Sequence, residues 1–170
     1  KELSDNPQSS GEEVGISIVD SFNEYYRENV SDTGSTLSVT DLSKTDRIVN
    51  ALGALSDAGT EDLGAGEFTQ LANARDKTET FGSSDTRSEK YQDMADLGDM
   101  AAELAQLHPA EAAELEAAVS DAVVYNKTTD YDSDTERTGA SGLSVYYPYA
   151  YSDSGDQTKY DAMNAIGVSA

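Results

Sequence analysis

The stretch GLSVYYPY, residues 142–149, predicts the β-strand around which the fold is organised. β-branched and aromatic residues fill it, and a turn containing Gly139 precedes it. Pro148 has no N–H, so the strand ends there or continues only at the edge of a sheet. Side chains alternate along a strand, which places Tyr146 on the outer face. The face expected in the core carries Leu143, Val145 and Tyr147.

A second apolar run, residues 122–125, predicts a neighbouring strand. An acidic, turn-rich segment, residues 126–141, joins the two. Helical patterns fill most of the remaining chain, so the expected fold class is α/β, with helices packed on the edge of a mixed sheet. Residues 1–9 are polar and predict a linker or tail. Residues 10–170 are expected to form a single α/β domain.

The first predicted helix begins with a capping box at Ser10 and Glu13. In this motif the Ser oxygen accepts from the amide three residues on, and the Glu carboxylate accepts from the Ser amide. The helix is expected to end near Glu28. Residues at helical spacing predict an inward stripe of Val14, Ile18, Phe22 and Tyr25.

A second helix is predicted after a short strand over residues 36–39. Thr40 or Asp41 is expected to cap it, and it should run from about residue 42 to 55. Its expected inward positions are Ile48, Val49, Leu52 and Leu55. Residues 56–67 are rich in Gly and acid and predict a break, before a short helix over residues 68–75 that uses Phe68, Leu71 and Ala72.

Two further helices are predicted between residues 94 and 122, after an irregular polar stretch over residues 76–90. The apolar positions of the first are Met94, Leu97, Met100, Ala101, Leu104 and Leu107. Pro109 suits the first position of the next helix, where no N–H is needed. The apolar stripe of that helix is Ala112, Leu115, Ala118, Val119 and Ala122. The pattern predicts a helical hairpin or a kinked pair.

Composition and charge limit the partners of the protein. Leu, Ile, Val and Phe make up only about 17% of the 170 residues, a share typical of disorder, but the apolar residues are periodic and predict a thin, Ala-rich core. The formal net charge is −22. Such a surface repels nucleic acid and anionic lipid, and no run of about 18 apolar residues predicts membrane insertion. Basic peptides and cations are the expected partners.

Few residues are candidates for chemistry. The chain has no Cys, one His and no Gly-x-Ser-x-Gly elbow. His108 lies among Ala and Leu beside Pro109, without a nucleophile nearby in sequence, so it is interpreted as a helix-end residue. Asp41 is interpreted as a helix cap. No catalytic residue is therefore assigned.

A ladder of acidic residues at alternate positions, Asp130, Asp132 and Asp134, is the candidate metal site. Hard cations such as Ca²⁺ bind several carboxylates on a flexible loop. The spacing is similar to the start of an EF-hand, but Thr135 stands where Gly is needed and Ser141 where the bidentate Glu is needed. The ladder therefore predicts weak Ca²⁺ binding or a solvated loop. The candidate ligands are Asp130, Asp132 and Asp134.

Four segments in order resemble the clostripain family of cysteine peptidases, which have a caspase-like fold. They are IVDSF at residues 18–22 with Tyr26, LSVTDLSK at 37–44, DLGDMA at 96–101 and GLSVYYP at 142–148. The resemblance implies an α/β domain from the C-terminal region of a caspase-like peptidase. It also implies a bacterial or archaeal protein, secreted or at the cell surface, with relatives that depend on calcium.

The family's Cys nucleophile and His base lie upstream of the segments matched here. The chain therefore resembles the non-catalytic C-terminal portion of an endopeptidase that cleaves after Arg or Lys, and it should be inactive alone. Its expected partners are the catalytic portion of the same peptidase and basic peptide substrates. The alternative is a stand-alone acidic module that binds basic peptides or cations.

Overall fold

The computed structural model describes residues 4, 6–30, 35–61, 65–81, 94–129 and 139–147. Within these ranges the α-helices are α1 (Gly11–Asn29), α2 (Thr45–Glu61), α3 (Ala65–Lys77), α4 (Leu97–Leu104) and α5 (Pro109–Ala122). The strands are β1 (Ser35–Thr40), β2 (Thr80–Phe81), β3 (Met94–Asp96), β4 (Val123–Thr129) and β5 (Ser144–Tyr146). A 3-10 turn, Leu42–Lys44, leads into α2. The α/β class predicted from the sequence is confirmed.

The strands form two small sheets, and every pairing in the described ranges is antiparallel. β1 pairs with β4, and the second sheet has the order β2-β3-β5. The sequence instead predicted one mixed sheet with β4 and β5 as neighbours. These two strands belong to different sheets because β5 pairs with β3, which places Val145 opposite Ala95. A strand of three residues is too short for its sequence pattern to reveal.

The hydrophobic core lies where α2, α4 and α5 meet. The predicted stripe of α5 is confirmed at each position, since Ala112, Leu115, Ala118, Val119 and Ala122 are all buried. Pro109 stands in the first turn of α5, as predicted. Small Ala side chains let the neighbouring helices approach closely, so the core is compact despite few large apolar residues. From β5 and its flanks it is covered by Leu143, Val145 and Tyr147, which confirms the predicted inward face.

Helix α1 buries a different face from the one predicted. Its capping box at Ser10 and Glu13 is present as expected. However, Ile18 and Tyr25 are 58% and 62% exposed, whereas Val19 is 1% exposed. The cause is Gly15, where an added Cβ would lie 3.0 Å from both methyl groups of Val39. Because Gly15 has no side chain, α1 packs on β1 through that side, and the more apolar flank remains outside.

Four other local predictions are corrected in the same way. Val49 and Phe68, expected to face inward, are 60% and 66% exposed. Helix α2 continues to Glu61, past the predicted break. Met94 belongs to β3, so α4 begins only at Leu97. In each case tertiary packing decided which side chain is buried or where the element begins and ends, which the local pattern had left open.

Surface ion pairs join α2 and the 3-10 turn before it to α5. The Lys44 ammonium lies 3.1 Å from the Asp121 carboxylate, and the Arg47 guanidinium lies 3.0 Å from Glu114. The hydrogen bond from Lys44 is the main cause that lowers the pKa of Asp121. These groups are partly exposed, so each pair adds little stability. No helix in the described part of the chain has the length and apolarity to cross a bilayer.

Replacement by Ala should have opposite effects on stability at two helical glycines, Gly98 and Gly53. At Gly98, near the start of α4, an added Cβ would lie 2.6 Å from the Cβ of Ser141, whereas at Gly53 in α2 it would meet nothing within 4 Å. We expect Gly98→Ala to destabilise the protein by about 1–3 kcal/mol through overpacking. Gly53→Ala should stabilise it by about 0.5–1 kcal/mol, because Gly weakens helix interiors. Urea denaturation measures both, and equal effects would contradict the packing at Gly98.

Candidate functional site

The segments that carry the family resemblance meet around one turn, residues 139–143, which we call the junction. The amide of Ser141 donates to Asp96 at 2.8 Å, and the amide of Leu97 donates to the carbonyl of Leu143 at 2.9 Å. The hydroxyl of Ser38 donates to the carbonyl of Gly142 at 2.6 Å. The fourth segment, on α1, reaches the others through β1. Motifs that are far apart in sequence therefore meet at the junction.

Asp96 is the centre of the junction. It is 0% exposed and caps α4, and its Oδ1 accepts from the amides of Gly98 and Asp99, each at 3.0 Å. Its Oδ2 accepts from Ser141. A buried carboxylate is tolerated only when hydrogen bonds replace its hydration, and here three backbone amides and the positive end of a helix supply that replacement. The sequence motif DLGDMA indicated a helix start, but not that its Asp is buried.

A neighbouring carboxylate extends this network. Asp99 accepts from the amide of Glu79 at 2.6 Å, just before β2. The amide of Asp96 donates to the carbonyl of Glu79 at 2.8 Å. An added Cβ at Gly139 would lie 2.9 Å from the carboxyl carbon of Asp99, so the turn fits closely over that carboxylate. Strand β2, helix α4 and the junction are thereby held together by two Asp side chains.

Gly142 lets the junction turn into β5. Its φ is +102°, a conformation that L side chains rarely adopt. A side chain there would also meet Ser38 and Val123, each 3.0 Å from the added Cβ. The Gly in the motif GLSVYYP is therefore required by backbone geometry and by close packing. The sequence showed a Gly-bearing turn, which was the available signal.

The other end of β5 is held by Arg75 of α3. This side chain is only 5% exposed, and its Nε donates to the carbonyl of Tyr147 at 2.7 Å. The guanidinium carbon lies 5.4 Å from the centroid of the Tyr147 ring, within cation–π range. Burial raises the pKa of Tyr147, and the charge of Arg75 opposes that shift. Sequence reasoning missed this contact, because nothing local marks a buried Arg.

A polar cluster joins α1 to β4. Asp20 accepts from the hydroxyl of Tyr125 at 2.8 Å and from the ammonium of Lys127. The hydrogen bond from Lys127 is the largest cause that lowers the pKa of Asp20, and the bond from Tyr125 is the next. The side-chain amide of Asn23 donates to the carbonyl of Thr128 at 2.9 Å. These contacts fix the position of α1 over β4.

This arrangement supports architecture rather than bond chemistry. Ser141 is the hydroxyl nearest to Asp96, but its Oγ accepts from the amide of Gly98 at 3.1 Å, and no His belongs to the junction. A nucleophilic Ser would need a base within hydrogen-bond reach. The junction carboxylates are occupied by backbone amides, so what the junction does is position β5 and the start of α4.

The residues singled out from the sequence fall elsewhere. Asp130, Asp132 and Asp134 lie outside the described residues, so the Ca²⁺ site stays a prediction. Asp41 accepts from the amide of Ser43 at 2.9 Å, which confirms that it is a cap. His108 is the residue before α5 and makes no side-chain capping bond. Within the described ranges, no group of three or more His, Cys, Asp or Glu is arranged to hold a metal ion.

Comparison with known proteins gives one result. The model of the clostripain family matches residues 1–164 of the 170-residue chain. No curated protein and no solved structure matches the chain. The matched range includes every described segment that meets at the junction.

Proposed function

The chain belongs to the clostripain family of cysteine peptidases, and on that premise we propose that it is the non-catalytic C-terminal portion of a cysteine endopeptidase. The family has a caspase-like fold, and the α/β architecture described above agrees with it. The observation that carries the proposal is the absence of Cys from a chain that the family model matches over residues 1–164. Thiolate chemistry needs a Cys, so another part of the peptidase must supply the nucleophile.

The role we assign to this portion is to support the catalytic one. An active site requires side chains that are held within a fraction of an ångström by rigid elements. The buried network of Asp96 and the anchoring of Tyr147 by Arg75 provide a rigid element of this kind around β5. Removal of such support should lower turnover even though none of these residues reacts.

We further propose that the peptidase cleaves after Arg or Lys. The net charge of −22 supports this specificity, since an acidic surface attracts basic peptides and raises their association rate. The proposed location is outside a bacterial or archaeal cell or at its surface. Weak Ca²⁺ binding by Asp130, Asp132 and Asp134 belongs to the same proposal.

The same charge also favours a second candidate function. A stand-alone acidic module would bind basic peptides or cations without any catalytic partner. The two proposals differ in one respect that can be measured, which is whether a Cys-bearing polypeptide needs this chain for its activity.

The test is complementation. We expect this chain alone to show no turnover of fluorogenic Arg and Lys peptides. When it is co-expressed with the Cys-bearing portion of the parent peptidase, turnover should exceed that of either portion alone by roughly 10²-fold, the scale of loss from a misplaced catalytic group. The control is the same pair with the catalytic Cys replaced by Ala.

Two results would contradict the proposal. The first is turnover by this chain alone that survives repurification. The second is a Cys-bearing portion that is equally active with and without the chain. If, in addition, the chain alone binds lysine-rich peptides tightly, the acidic binding module is the correct function.

A further inference from the structure

Two Asn residues of the chain stand in the motif Asn-x-Ser/Thr, with a residue other than Pro in the middle. Asn29 begins the stretch NVS at residues 29–31, and Asn126 begins NKT at residues 126–128. This motif is the acceptor for N-linked glycosylation, which takes place at surface sites. The motif is short and common, so the surroundings of each Asn decide whether its side chain can react.

Asn29 lies at an accessible helix end. It is exposed and is the last residue of α1. Its Nδ2 donates to the carbonyl of Tyr25 at 2.9 Å, in the last turn of the helix, where carbonyls lack partners within the helix and can bond water instead. Val30 leaves the helix in an extended conformation, with φ −121° and ψ 122°. Ser31, the third residue of the motif, lies outside the described residues.

Asn126 is closed off by the fold. It lies within β4, opposite Ser38 of β1. Its Nδ2 donates to the carbonyl of Ala140 at 2.7 Å, and its Oδ1 is buried without a hydrogen-bond partner among the described residues. A Cβ added at Gly142 would lie 3.4 Å from the Asn126 Cγ, so the junction packs directly against this amide. A sugar on Nδ2 would displace the junction from β4.

The Asn29 side chain can accept a sugar without loss of its contact. The amide nitrogen of Asn carries two hydrogens. When a sugar replaces one of them, the other can still donate to the carbonyl of Tyr25. Glycosylation of Asn29 is therefore compatible with α1 as it stands.

The exposed ring of Tyr25 beside Asn29 is a second observation that points to a bound group. Tyr25 is 62% exposed, although aromatic side chains usually bury much of their surface. Residues at positions i and i+4 share one side of a helix. The hydrogen bond from Asn29 to the Tyr25 carbonyl holds the amide over the same turn. A sugar on Asn29 would thus lie beside the ring, where its C–H groups can pack on the aromatic face.

We propose that Asn29 carries an N-linked oligosaccharide whose first sugars cover the ring of Tyr25. The co-reactant is an oligosaccharide linked to a lipid phosphate, which a membrane oligosaccharyltransferase presents. The Asn29 Nδ2 loses one proton and bonds the anomeric carbon of the first sugar. The bond from that carbon to the phosphate oxygen breaks, and the oxygen leaves with the electron pair as the lipid phosphate. The inference rests on the location proposed above, outside the cell or at its surface.

The first arm of the test compares the folded chain with two synthetic peptides, residues 25–33 and 122–130. The enzyme is a single-subunit oligosaccharyltransferase that requires only Asn-x-Ser/Thr, supplied with its lipid-linked oligosaccharide. Trypsin separates the motifs into residues 28–44 and 91–127, so mass spectrometry detects each modification independently. We expect both peptides to react. The folded chain should react at Asn29 and at least about tenfold less at Asn126, because a stable strand rarely opens.

Two results of this arm would overturn the proposal. One is equal modification of the two Asn residues in the folded chain. The other is an unmodified Asn29 in the folded chain although its peptide reacts.

The second arm uses a matched pair of variants that each destroy one motif without changing the Asn. Ser31→Ala should abolish modification of the folded chain, and Thr128→Ala should leave it unchanged, because Asn126 is not reached. Asn29→Gln should also abolish it, since it retains an amide but lacks the acceptor residue. Circular dichroism spectra verify that the variants are folded. A glycan that persists on residues 28–44 of Asn29→Gln would contradict the assignment.

The contact with Tyr25 has a test of its own. Glycosylation should raise the melting temperature of the wild-type chain by about 1–4 °C, the shift expected from one surface contact in a chain of this size. The same modification should not stabilise Tyr25→Ala, whose fold should persist because the position is exposed. An equal rise in both proteins would show that the oligosaccharide does not cover the ring.

The last arm examines the chain recovered from its source cells, and it separates this inference from the proposed function. We expect residues 28–44 to carry added sugar mass. An unmodified chain recovered from outside the cell would overturn the inference and leave the peptidase proposal intact. A chain confined to the cytoplasm would refute both the proposed location and the modification, whereas complementation of the Cys-bearing portion would still decide the peptidase role.

Discussion

Replacing Asp96 with Ala should remove a large part of the stability of the protein. Its carboxylate satisfies the amides of Gly98, Asp99 and Ser141 in a fully buried position. The amide of Gly98 keeps the Ser141 hydroxyl as an acceptor, but those of Asp99 and Ser141 lose theirs. Each amide left without a partner costs about 1–3 kcal/mol, so a loss on the order of 2–6 kcal/mol is expected. Domains are stable by only about 5–15 kcal/mol in total. The free energy of unfolding in urea is the measurement.

Asp41 supplies a matched control for this change. It is also an Asp that caps a helical turn, but it accepts from a single described amide, that of Ser43, at an exposed position. Asp41→Ala should cost about 0.5–2 kcal/mol, the usual range for a lost cap. If Asp96→Ala is no more destabilising than Asp41→Ala, the junction network does not contribute as described. In that case the rigid element invoked for the peptidase would have to lie elsewhere.

Val145→Asp should abolish folding. Val145 packs against the core from the inward face of β5, opposite Ala95, which is 0% exposed. A charge placed there without a partner costs several kcal/mol, which is comparable with the whole stability of a domain. Circular dichroism and thermal melting report the result, and a cooperative melt near that of the parent protein would show that Val145 is not in the core.

The control for this prediction is the same substitution at Val49. Local spacing predicted that Val49 is inward, yet it is 60% exposed in α2. Val49→Asp should therefore change stability by no more than about 0.5 kcal/mol, as is usual for surface positions. The pair separates burial from the chemical nature of the change, because both variants replace Val with Asp. Similar losses in the two variants would contradict the described orientation of α2.

The junction joins two motifs that are weak when each is taken singly. Taken singly, DLGDMA and GLSVYYP are a helix start and a strand. In the structure they are one unit, because Asp96 bonds Ser141 and Leu97 bonds Leu143. The family match over residues 1–164 includes both stretches.

The sequence by itself determined the features that depend on near neighbours along the chain. The capping box of α1, Pro109 at the start of α5 and the period-two face of β5 all follow from spacing and backbone chemistry within a few residues. The α5 stripe was equally readable, because Leu115, Val119 and the three buried Ala residues of that helix recur at helical spacing. The absence of a Cys nucleophile was evident from composition.

Only the tertiary structure decided which partner each element meets. Local spacing predicted that Ile18 and Tyr25 of α1 face inward, but the close approach of Gly15 to Val39 turned the face with Val19 toward β1. The burial of Asp96 and Arg75 depends on groups more than 40 residues away, at Ser141 and Tyr147. The apolar pattern of an element indicates how much surface that element can bury. The surface is buried only where another element has a complementary shape and matching hydrogen-bonding groups. That match is a property of two distant segments together, so neither segment contains it alone.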